Sequence, residues 1–339
     1  MLTHSKRSVA SFRRSSGRII MSDVLFDWLQ ARAADWKATD PLKGGDAELI
    51  RWLLGPRPGE ADYVAPETAV REEILKTGGG DLRVRVYRPK LAAGEKRPLL
   101  VWCHGGSFFS GDLDMPESDA VAREICVRAD AVVVTVDYRL ALGLHYPAPS
   151  DDVVAAFDWV VATAAALSAD EQRITIGGAS AGGNLAAGAA LRLRDRGTAV
   201  PASVLLLYPI LHPVLPEPSE ELAGKIAGLS PMLRPSPDLV EIVVENYLGV
   251  PVSQAFPYGM PGVEADLRGF PPTMIINSEY DGVRASGEQF ANQLRDAGVP
   301  MTEQVEVGVY HGHLGRGGGA PFLHSVTEMA GWVRGRADS

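Results

Sequence analysis

The stretch that most constrains this chain is a serine between small residues, placed where a strand pattern gives way to a helix pattern. Residues 173–176 read RITI, which predicts a buried strand, and residues 181–194 are rich in alanine, leucine and arginine, which predicts a helix. Between them residues 178–182 read GASAG, with Ser180 at the centre. Such a turn strains the serine backbone and holds the hydroxyl above the sheet, beside a helix N-terminus. The pattern predicts that Ser180 is a nucleophile; the alternative is a small-residue turn of any parallel α/β protein.

A second loop of small residues follows the apolar strand pattern at residues 99–103 and begins with His104. It reads HGGSF, and consecutive small residues after a strand can turn their backbone N–H groups toward a substrate carbonyl. Ala181, directly after Ser180, offers another such donor. Because a triad of this architecture runs in the order serine, acid, histidine, His104 is not expected to be the base. We expect it to hold the loop by hydrogen bonds.

The acid and the base are expected later in the chain than the serine. A buried strand pattern at residues 272–277 is followed by Asp281, at the strand end where parallel sheets collect their chemistry. The strand pattern at residues 302–309 leads into His311 and His313. His212 precedes Asp281, and His324 falls in a helical pattern. Both are therefore less suited to be the base. We predict Asp281 as the acid and His311 as the base, because His311 comes first after the strand and precedes a glycine that permits a tight turn; His313 stays the alternative.

Taken together, these motifs resemble the hormone-sensitive-lipase branch of the α/β-hydrolase superfamily. That family usually shows HGGG with an aromatic residue next, then GDSAGGN, DPLRDEG and HGF, and this chain shows HGGSF, GASAGGN, DGVRASG and HGH in the same order. The DYRLA stretch that begins at Asp137 is also similar to a family segment, and the resemblance covers about residues 60–335. It implies Ser180 as nucleophile, Asp281 as orienting acid and His311 as base. It also implies an oxyanion hole around Gly105, Gly106, Ser107 and Ala181.

Departures from the family pattern bear on substrate preference and rate more than on reaction type. Ser107 stands for the third glycine, which keeps the N–H but adds a side chain that constrains the loop. Ala179 stands for the usual acidic residue before the nucleophile and removes a hydrogen-bonding group. Gly282 replaces a proline, and His313 stands where a phenylalanine is usual. No member of the expected triad is missing.

Outside these motifs, strand and helix patterns alternate along most of the chain. An antiparallel hairpin is predicted at residues 69–87, and strands alternate with helices over residues 99–208 and 273–334. A further helix is predicted at residues 238–248. This alternation predicts an α/β fold with a mostly parallel central sheet covered by helices on both faces. The resemblance makes it the α/β-hydrolase fold with a helical cap.

The chain is expected to consist of a leader, a cap in two pieces and a core. Residues 1–20 are basic and lack the apolar stretch of a secretory signal, which leaves a transit peptide, a disordered tail or an upstream extension before a start at Met21. Of these, a disordered or artefactual leader is favoured. Helical patterns at residues 21–60 precede the first strand and are expected to form the N-terminal part of the cap. Residues 61–339 form the core, and a long insertion at about residues 211–262 is expected to complete the cap.

Composition argues against several classes of function. The 339 residues carry a formal net charge of −9, which disfavours nucleic acid, and no apolar run approaches the roughly 20 residues that span a bilayer. Two cysteines, Cys103 and Cys126, fall in strand and helix patterns, which predicts buried thiols in a reducing cytoplasm rather than a disulfide or a metal site. We expect a cytoplasmic protein with no cofactor and no metal, whose partner is a small-molecule ester, with a homodimer left open.

The sequence therefore predicts a serine hydrolase that cleaves carboxylic esters of small soluble substrates through an acyl-enzyme, with short acyl chains preferred. Two alternatives stay open. An amide hydrolase such as a formamidase or peptidase uses the same triad, and the choice of leaving group depends on the shape of the pocket. A non-catalytic ligand-binding member of the fold would keep the pocket without the chemistry, although the intact set of Ser180, Asp281 and His311 argues against it.

Overall fold

The structure is a computed structural model, and it describes residue 60 and residues 62–89, 96–229 and 236–335. The leader predicted at residues 1–20 lies outside the described residues, as do the cap helices predicted at residues 21–60, apart from residue 60 itself. Within the described ranges the chain forms one eight-stranded sheet with helices on both faces.

The sheet is mostly parallel, as the sequence predicts. In chain order its strands are β1 (Ala69–Thr77), β2 (Gly80–Arg88), β3 (Arg97–Cys103), β4 (Val132–Val136), β5 (Ala169–Ala179), β6 (Ser203–Leu207), β7 (Thr273–Tyr280) and β8 (Met301–Tyr310). Across the sheet the order is β1-β2-β4-β3-β5-β6-β7-β8. β2 pairs antiparallel with β1 and β4, and every other neighbouring pair is parallel. The parallel strands therefore all end at the same side of the sheet, where a site can be assembled from their loops.

The helices form an apolar layer on each face of the sheet. They are α1 (Asp119–Ala129), α2 (Ala148–Leu167), α3 (Ala181–Arg196), α4 (Glu220–Ala227), α5 (Pro237–Leu248), α6 (Arg284–Asp296) and α7 (Ala320–Arg334). Successive residues of β3 point to opposite faces, so Val101 packs with α2 and α3 whereas Trp102 packs with α1 and α7. β4 is buried along its whole length, as expected for a strand covered on both sides.

The chain between β6 and β7 forms the insertion predicted at about residues 211–262. The helix predicted at residues 238–248 is confirmed as α5. α4 is an additional helix, because the sequence predicts a helix in this insertion only at residues 238–248. The signal for it is Ser219, whose hydroxyl accepts the Leu222 N–H at 3.2 Å and so caps a helix with two glutamates in its first turn.

Both cysteines are buried and unpaired, as predicted, and burial raises the pKa of each thiol. No helix in the described part of the chain is long and apolar enough to cross a membrane. The same residues contain no cluster of three or more histidine, cysteine, aspartate or glutamate side chains arranged to hold a metal ion.

Candidate active site

Ser180 occupies the turn between β5 and α3. Its backbone has φ 52° and ψ −116°, a conformation that a non-glycine residue adopts rarely and at a cost of about 1–3 kcal/mol. Hydrogen bonds on both sides hold it there: the Ser180 N–H donates to the Leu207 carbonyl at 2.8 Å, and the Ser180 carbonyl accepts the Asn184 N–H at 3.1 Å. The turn predicted from the GASAG motif is therefore present, with the strain located at the serine.

Gly182 allows α3 to begin directly against the end of β3. A Cβ built at Gly182 would lie 2.2 Å from the carbonyl oxygen of Cys103 and 2.3 Å from that of His104. Both are backbone atoms, so a side chain at this position would push apart two elements of the core. This close approach brings the first turn of α3 beside the HGGSF loop.

A chain of hydrogen bonds joins Ser180, His311 and Asp281. Ser180 Oγ lies 2.8 Å from His311 Nε2, and His311 Nδ1 lies 2.7 Å from Asp281 Oδ2. Asp281 follows β7 directly and is fully buried, and its other oxygen accepts the Val283 N–H at 2.9 Å. His311 follows β8 in the same way. The structure thus brings together the three residues that the sequence selects as nucleophile, base and acid.

The charge of His311 depends on its surroundings. Burial lowers its pKa, but the negative charge of Asp281 and its hydrogen bond to the ring outweigh burial, and Glu117 acts in the same direction, so the pKa is raised. With the Nδ1 proton donated to Asp281, Nε2 of the neutral ring is the acceptor that faces Ser180. The arrangement can take a proton from the serine hydroxyl.

His313, the alternative base, has other partners. Its Nδ1 lies 2.9 Å from Ser278 Oγ, and its Nε2 lies 2.9 Å from Ser325 Oγ. The imidazole is buried, and both of its nitrogens are engaged away from Ser180. In this geometry His311, not His313, is hydrogen-bonded to Ser180.

The other histidines set aside in the sequence analysis also lie apart from the serine. His104 Nδ1 lies 2.6 Å from the Gly105 carbonyl, and its ring stacks on Tyr138, so it holds the loop as expected. His212 is buried against Ser286, and burial lowers its pKa to about 4. His324 is exposed and its Nδ1 lies 2.7 Å from a carboxylate oxygen of Glu306.

The HGGSF loop lies against Ser180, since a Cβ built at Gly105 would sit 3.3 Å from the Ser180 Cβ. Ser107 has φ 54°, in the left-handed region that a non-glycine residue rarely adopts, so the loop is tightly turned. Among the described residues, the N–H groups of Gly106, Ser107 and Ala181 have no hydrogen-bond acceptor. They are available to a substrate oxygen.

Gly105 differs from its neighbours in this loop. Its N–H donates to Glu117 Oε2 at 2.6 Å and is therefore not free to bind a substrate oxygen. The expectation for Gly105 is corrected on this point: it lies next to the oxyanion donors but does not supply one. Its bond to the carboxylate fixes the loop instead.

Two residues of this region are not predicted from the sequence as part of the site: Glu117 and Tyr208. Glu117 is only 4% exposed, and its Oε1 accepts the Tyr208 hydroxyl at 2.5 Å. A glutamate just before a helix pattern is ordinarily a surface residue that complements the helix N-terminus. Only the tertiary structure distinguishes that role from a buried carboxylate.

Comparison with known proteins identifies a family model and several similar proteins for this chain. A family model described as alpha/beta hydrolase fold matches residues 100–315. Carboxylesterase NlhH of Mycobacterium tuberculosis is 37% identical over 254 residues, which cover 74% of this chain and 76% of that protein. Esterase LipI of the same organism is 34% identical over 284 residues, covering 83% of this chain and 85% of that protein. Among solved structures, the thermostable carboxylesterase EstE1 from a metagenomic library matches with a TM-score of 0.70 at 30% identity, covering 81% of this chain and 91% of EstE1.

Proposed function

Since this chain belongs to the α/β-hydrolase family and is a carboxylic ester hydrolase, we propose that Ser180 is its nucleophile, His311 its base and Asp281 its orienting acid. The observation that carries this proposal is the continuous hydrogen-bonded chain from Asp281 Oδ2 through His311 to Ser180 Oγ. The amide hydrolase and the non-catalytic binding protein are not favoured, because the similar proteins are named as esterases.

In the first half of the reaction, Ser180 Oγ attacks the ester carbonyl carbon while its proton passes to His311 Nε2. Asp281 retains its hydrogen bond to Nδ1 and stabilises the imidazolium that forms. The carbonyl oxygen becomes an oxyanion, which preorganised backbone donors stabilise without reorganisation. These donors are the N–H groups of Gly106, Ser107 and Ala181.

In the second half, the tetrahedral intermediate collapses and the ester C–O bond breaks. His311 gives its proton to the departing alcohol, which leaves the acyl group on Ser180. A water molecule then attacks the acyl-enzyme as His311 accepts one of its protons. Release of the carboxylic acid returns that proton to Ser180 Oγ and restores the resting site.

Packing of the insertion on the oxyanion loop supports a preference for short acyl chains. The ring of Phe108 stacks on Tyr247 of α5 with their centroids 4.0 Å apart, and both side chains are fully buried. Asn246 of α5 donates to the Ala141 carbonyl at 2.9 Å, and the Ala141 N–H donates to the Phe108 carbonyl at 2.8 Å. α5 thus acts as a cap piece beside the site. Each methylene that fits gains about 0.8 kcal/mol, and the gain stops where the chain meets a wall.

The test is a series of p-nitrophenyl esters of increasing acyl length, with matched p-nitroanilides. We expect kcat/KM to peak at about two to six carbons and to fall steeply by about twelve. A maximum at twelve carbons or longer contradicts the short-chain proposal, and faster cleavage of the anilides contradicts the preference for esters. Repeating the series with a chain that starts at Met21 shows whether the basic leader contributes.

We further propose that the enzyme acts in the cytoplasm on small esters. The unpaired, buried thiols of Cys103 and Cys126 support a reducing compartment. Fractionation of the producing cells checks the location, and recovery with secreted proteins would contradict it. Light scattering of the purified protein checks whether it forms the homodimer that the sequence analysis leaves open.

A further inference from the structure

The carboxylate of Glu117 is buried beside the site, and the reaction steps described above do not use it. Both of its oxygens are engaged: Oε2 accepts the Gly105 N–H at 2.6 Å, and Oε1 accepts the Tyr208 hydroxyl at 2.5 Å. The backbone of Glu117 is held as well, because the Trp102 indole N–H donates to its carbonyl at 2.9 Å. Glu117 is therefore held at three points, two on its carboxylate and one on its backbone, and it defines the positions of the groups that bind it.

Tyr208 extends this network to the other side of the site. It follows β6 directly, is fully buried and has φ 37°, a strained conformation for a non-glycine residue. Its ring contacts that of His313 edge-on, with the centroids 5.0 Å apart, and His313 lies in the loop that carries His311. Its ring contacts His311 edge-on, with the centroids 5.2 Å apart. Tyr208 therefore touches the base itself and also fixes the loop of the base.

We propose that Glu117 is a positioning residue, which through Gly105 fixes the oxyanion loop and through Tyr208 fixes the loop of His311. The two loops come from β3 and β8, which are separated in the sheet by β5, β6 and β7. The buried carboxylate links them through Gly105 on one side and Tyr208 on the other, so that the oxyanion donors and the base keep one relative placement. This inference rests on the proposed function of Ser180 and His311.

A carboxylate suits this position better than its amide. Glutamine has one acceptor oxygen and one NH₂ donor, so it cannot accept from the Gly105 N–H and the Tyr208 hydroxyl at once. With its oxygen toward Gly105, the NH₂ takes the place of the oxygen that accepts the Tyr208 hydroxyl, and the hydroxyl proton loses its acceptor. With the NH₂ toward Gly105, two donors face each other. Either way a buried polar group loses its partner and the loops shift.

Glu117 also acts by its charge. The groups that face His311 from neighbouring elements are Asp281 after β7, Tyr208 after β6 and Glu117 before α1. Both carboxylates favour the imidazolium, so removing the charge of Glu117 lowers the pKa of His311. A role in loop packing alone would leave this pKa unchanged.

The test compares Glu117→Gln, Glu117→Asp and Tyr208→Phe, with kcat expressed per site titrated by an organophosphate. Glu124→Gln is the matched control, because Glu124 is another glutamate that is 4% exposed and accepts a tyrosine hydroxyl, that of Tyr63 at 3.0 Å. Its partners lie outside the site. Because misfolded protein does not react with the organophosphate, expressing kcat per titrated site excludes it from the comparison.

We expect Glu117→Gln to lower kcat about 10–100-fold with KM changed less than about threefold, since misplaced oxyanion donors act on the transition state. Tyr208→Phe should lower kcat about 5–20-fold and should add little on top of Glu117→Gln, because both break the same link. The acid limb of kcat/KM should move to lower pH in Glu117→Gln. In Glu117→Asp and Tyr208→Phe it should stay in place, because the charge remains while the hydrogen bonds are lost.

Wild-type kcat with an unmoved acid limb in Glu117→Gln overturns the inference, and so does an equal loss in Glu124→Gln. If Glu117→Gln does not fold, Tyr208→Phe decides, and wild-type kcat in that variant is the contradicting result. Ser180→Ala is assayed alongside. Activity retained in Ser180→Ala contradicts the proposed function itself, whereas an inactive Ser180→Ala beside a fully active Glu117→Gln contradicts only the role of Glu117.

Discussion

Among single residues, His311 has the most demanding proposed role, because the base must exchange protons with both the serine and the leaving group. Its Nδ1 is tied to Asp281 at 2.7 Å, which selects the tautomer with a free Nε2. Its Nε2 already lies 2.8 Å from Ser180 Oγ. The resting site therefore already contains the hydrogen bond along which the first proton moves in the proposed reaction.

Substituting His311 and His313 in turn should distinguish the histidine that acts as the base from the one that only stabilises the fold. His311→Ala should lower kcat by about 10⁴–10⁶, because Ser180 loses its proton acceptor. His313→Ala should lower kcat far less, but it leaves the Ser278 hydroxyl without its partner and should destabilise the fold by about 1–3 kcal/mol. Steady-state kinetics and urea unfolding measure the two effects. An inactive His313→Ala beside an active His311→Ala would show that His313 is the base and that the assignment of His311 is wrong.

The pH dependence of the rate should report the charge around His311. Only the neutral ring accepts the Ser180 proton, so kcat/KM should fall as the pH drops through the pKa of His311. Asp281 raises that pKa, and Asp281→Asn should therefore move the acid limb to lower pH while lowering kcat. Because the folded pKa is raised, protonated His311 also stabilises the fold below its unfolded pKa, and this contribution is lost as the pH rises through the folded value. An acid limb that stays in place in Asp281→Asn contradicts this assignment.

The site residues that can be predicted from the sequence are those whose residue type the reaction requires. Ser180 and Asp281 follow from a motif and a strand end, since their order along the chain is a property of the fold. His311 and His313 are both plausible on the sequence, and only the path of the chain after β8 decides which ring meets the serine. Glu117 is missed because burial of a carboxylate is a tertiary event that leaves no pattern in the neighbouring residues.

At the scale of elements, the junction of β5 with α3 leaves no room for a side chain at Gly182. Gly182→Ala should destabilise the protein by about 3 kcal/mol or prevent folding, because its Cβ would meet the backbone at the end of β3. Gly331 of α7 is the matched control, since a Cβ there meets no atom within 4 Å. Gly331→Ala should stabilise the helix by about 0.5–1 kcal/mol. Urea unfolding tests both, and a stable, active Gly182→Ala would contradict the close packing of the turn.

Helix α4 should be held by apolar packing more than by its ion pairs. Leu222 is fully buried with Ile226 against Ala285, so Leu222→Ala should cost about 2–4 kcal/mol and raise hydrogen exchange along α4. Glu221 bonds Arg284 at 3.0 Å, but its side chain is 49% exposed, and Glu221→Ala should cost no more than about 1 kcal/mol. Equal effects of the two substitutions, measured by unfolding and exchange, would show that the ion pairs dominate.

Helices and strands are well predicted from the sequence where hydrophobic periodicity is strong. Prediction fails for α4, where this periodicity is weak. The hairpin of β1 and β2 and the strands of the parallel sheet follow from apolar runs and alternation, and their observed bounds differ by a few residues at most of their ends. α4 spans only eight residues, contains Gly224 and follows a proline-rich stretch, so its intrinsic helix signal is weak. Its cap at Ser219 and its packing on the core stabilise it.

At the scale of the whole molecule, the fold brings residues that are distant in sequence into contact. Ser180 and His311 are 131 positions apart, and Glu117 and Tyr208 are 91 apart, yet each pair is hydrogen-bonded. The parallel sheet makes this possible, because the loops after β3, β5, β6, β7 and β8 all leave the same side. Apolar layers on both faces keep the strands fixed, so the loops need only short hydrogen bonds to hold their relative positions.

The most direct test of the central claim is covalent labelling of the nucleophile with diethyl p-nitrophenyl phosphate. The reagent should release about one equivalent of p-nitrophenol per chain, abolish ester hydrolysis in proportion, and leave a diethylphosphoryl group that peptide mass spectrometry finds on Ser180. Ser278→Ala is the matched control, because Ser278 is also hydrogen-bonded to a histidine, at 2.9 Å, and its removal should leave the labelling intact. Ser180→Ala should take up no label. An adduct on another residue, or full activity after stoichiometric labelling of Ser180, would contradict the account.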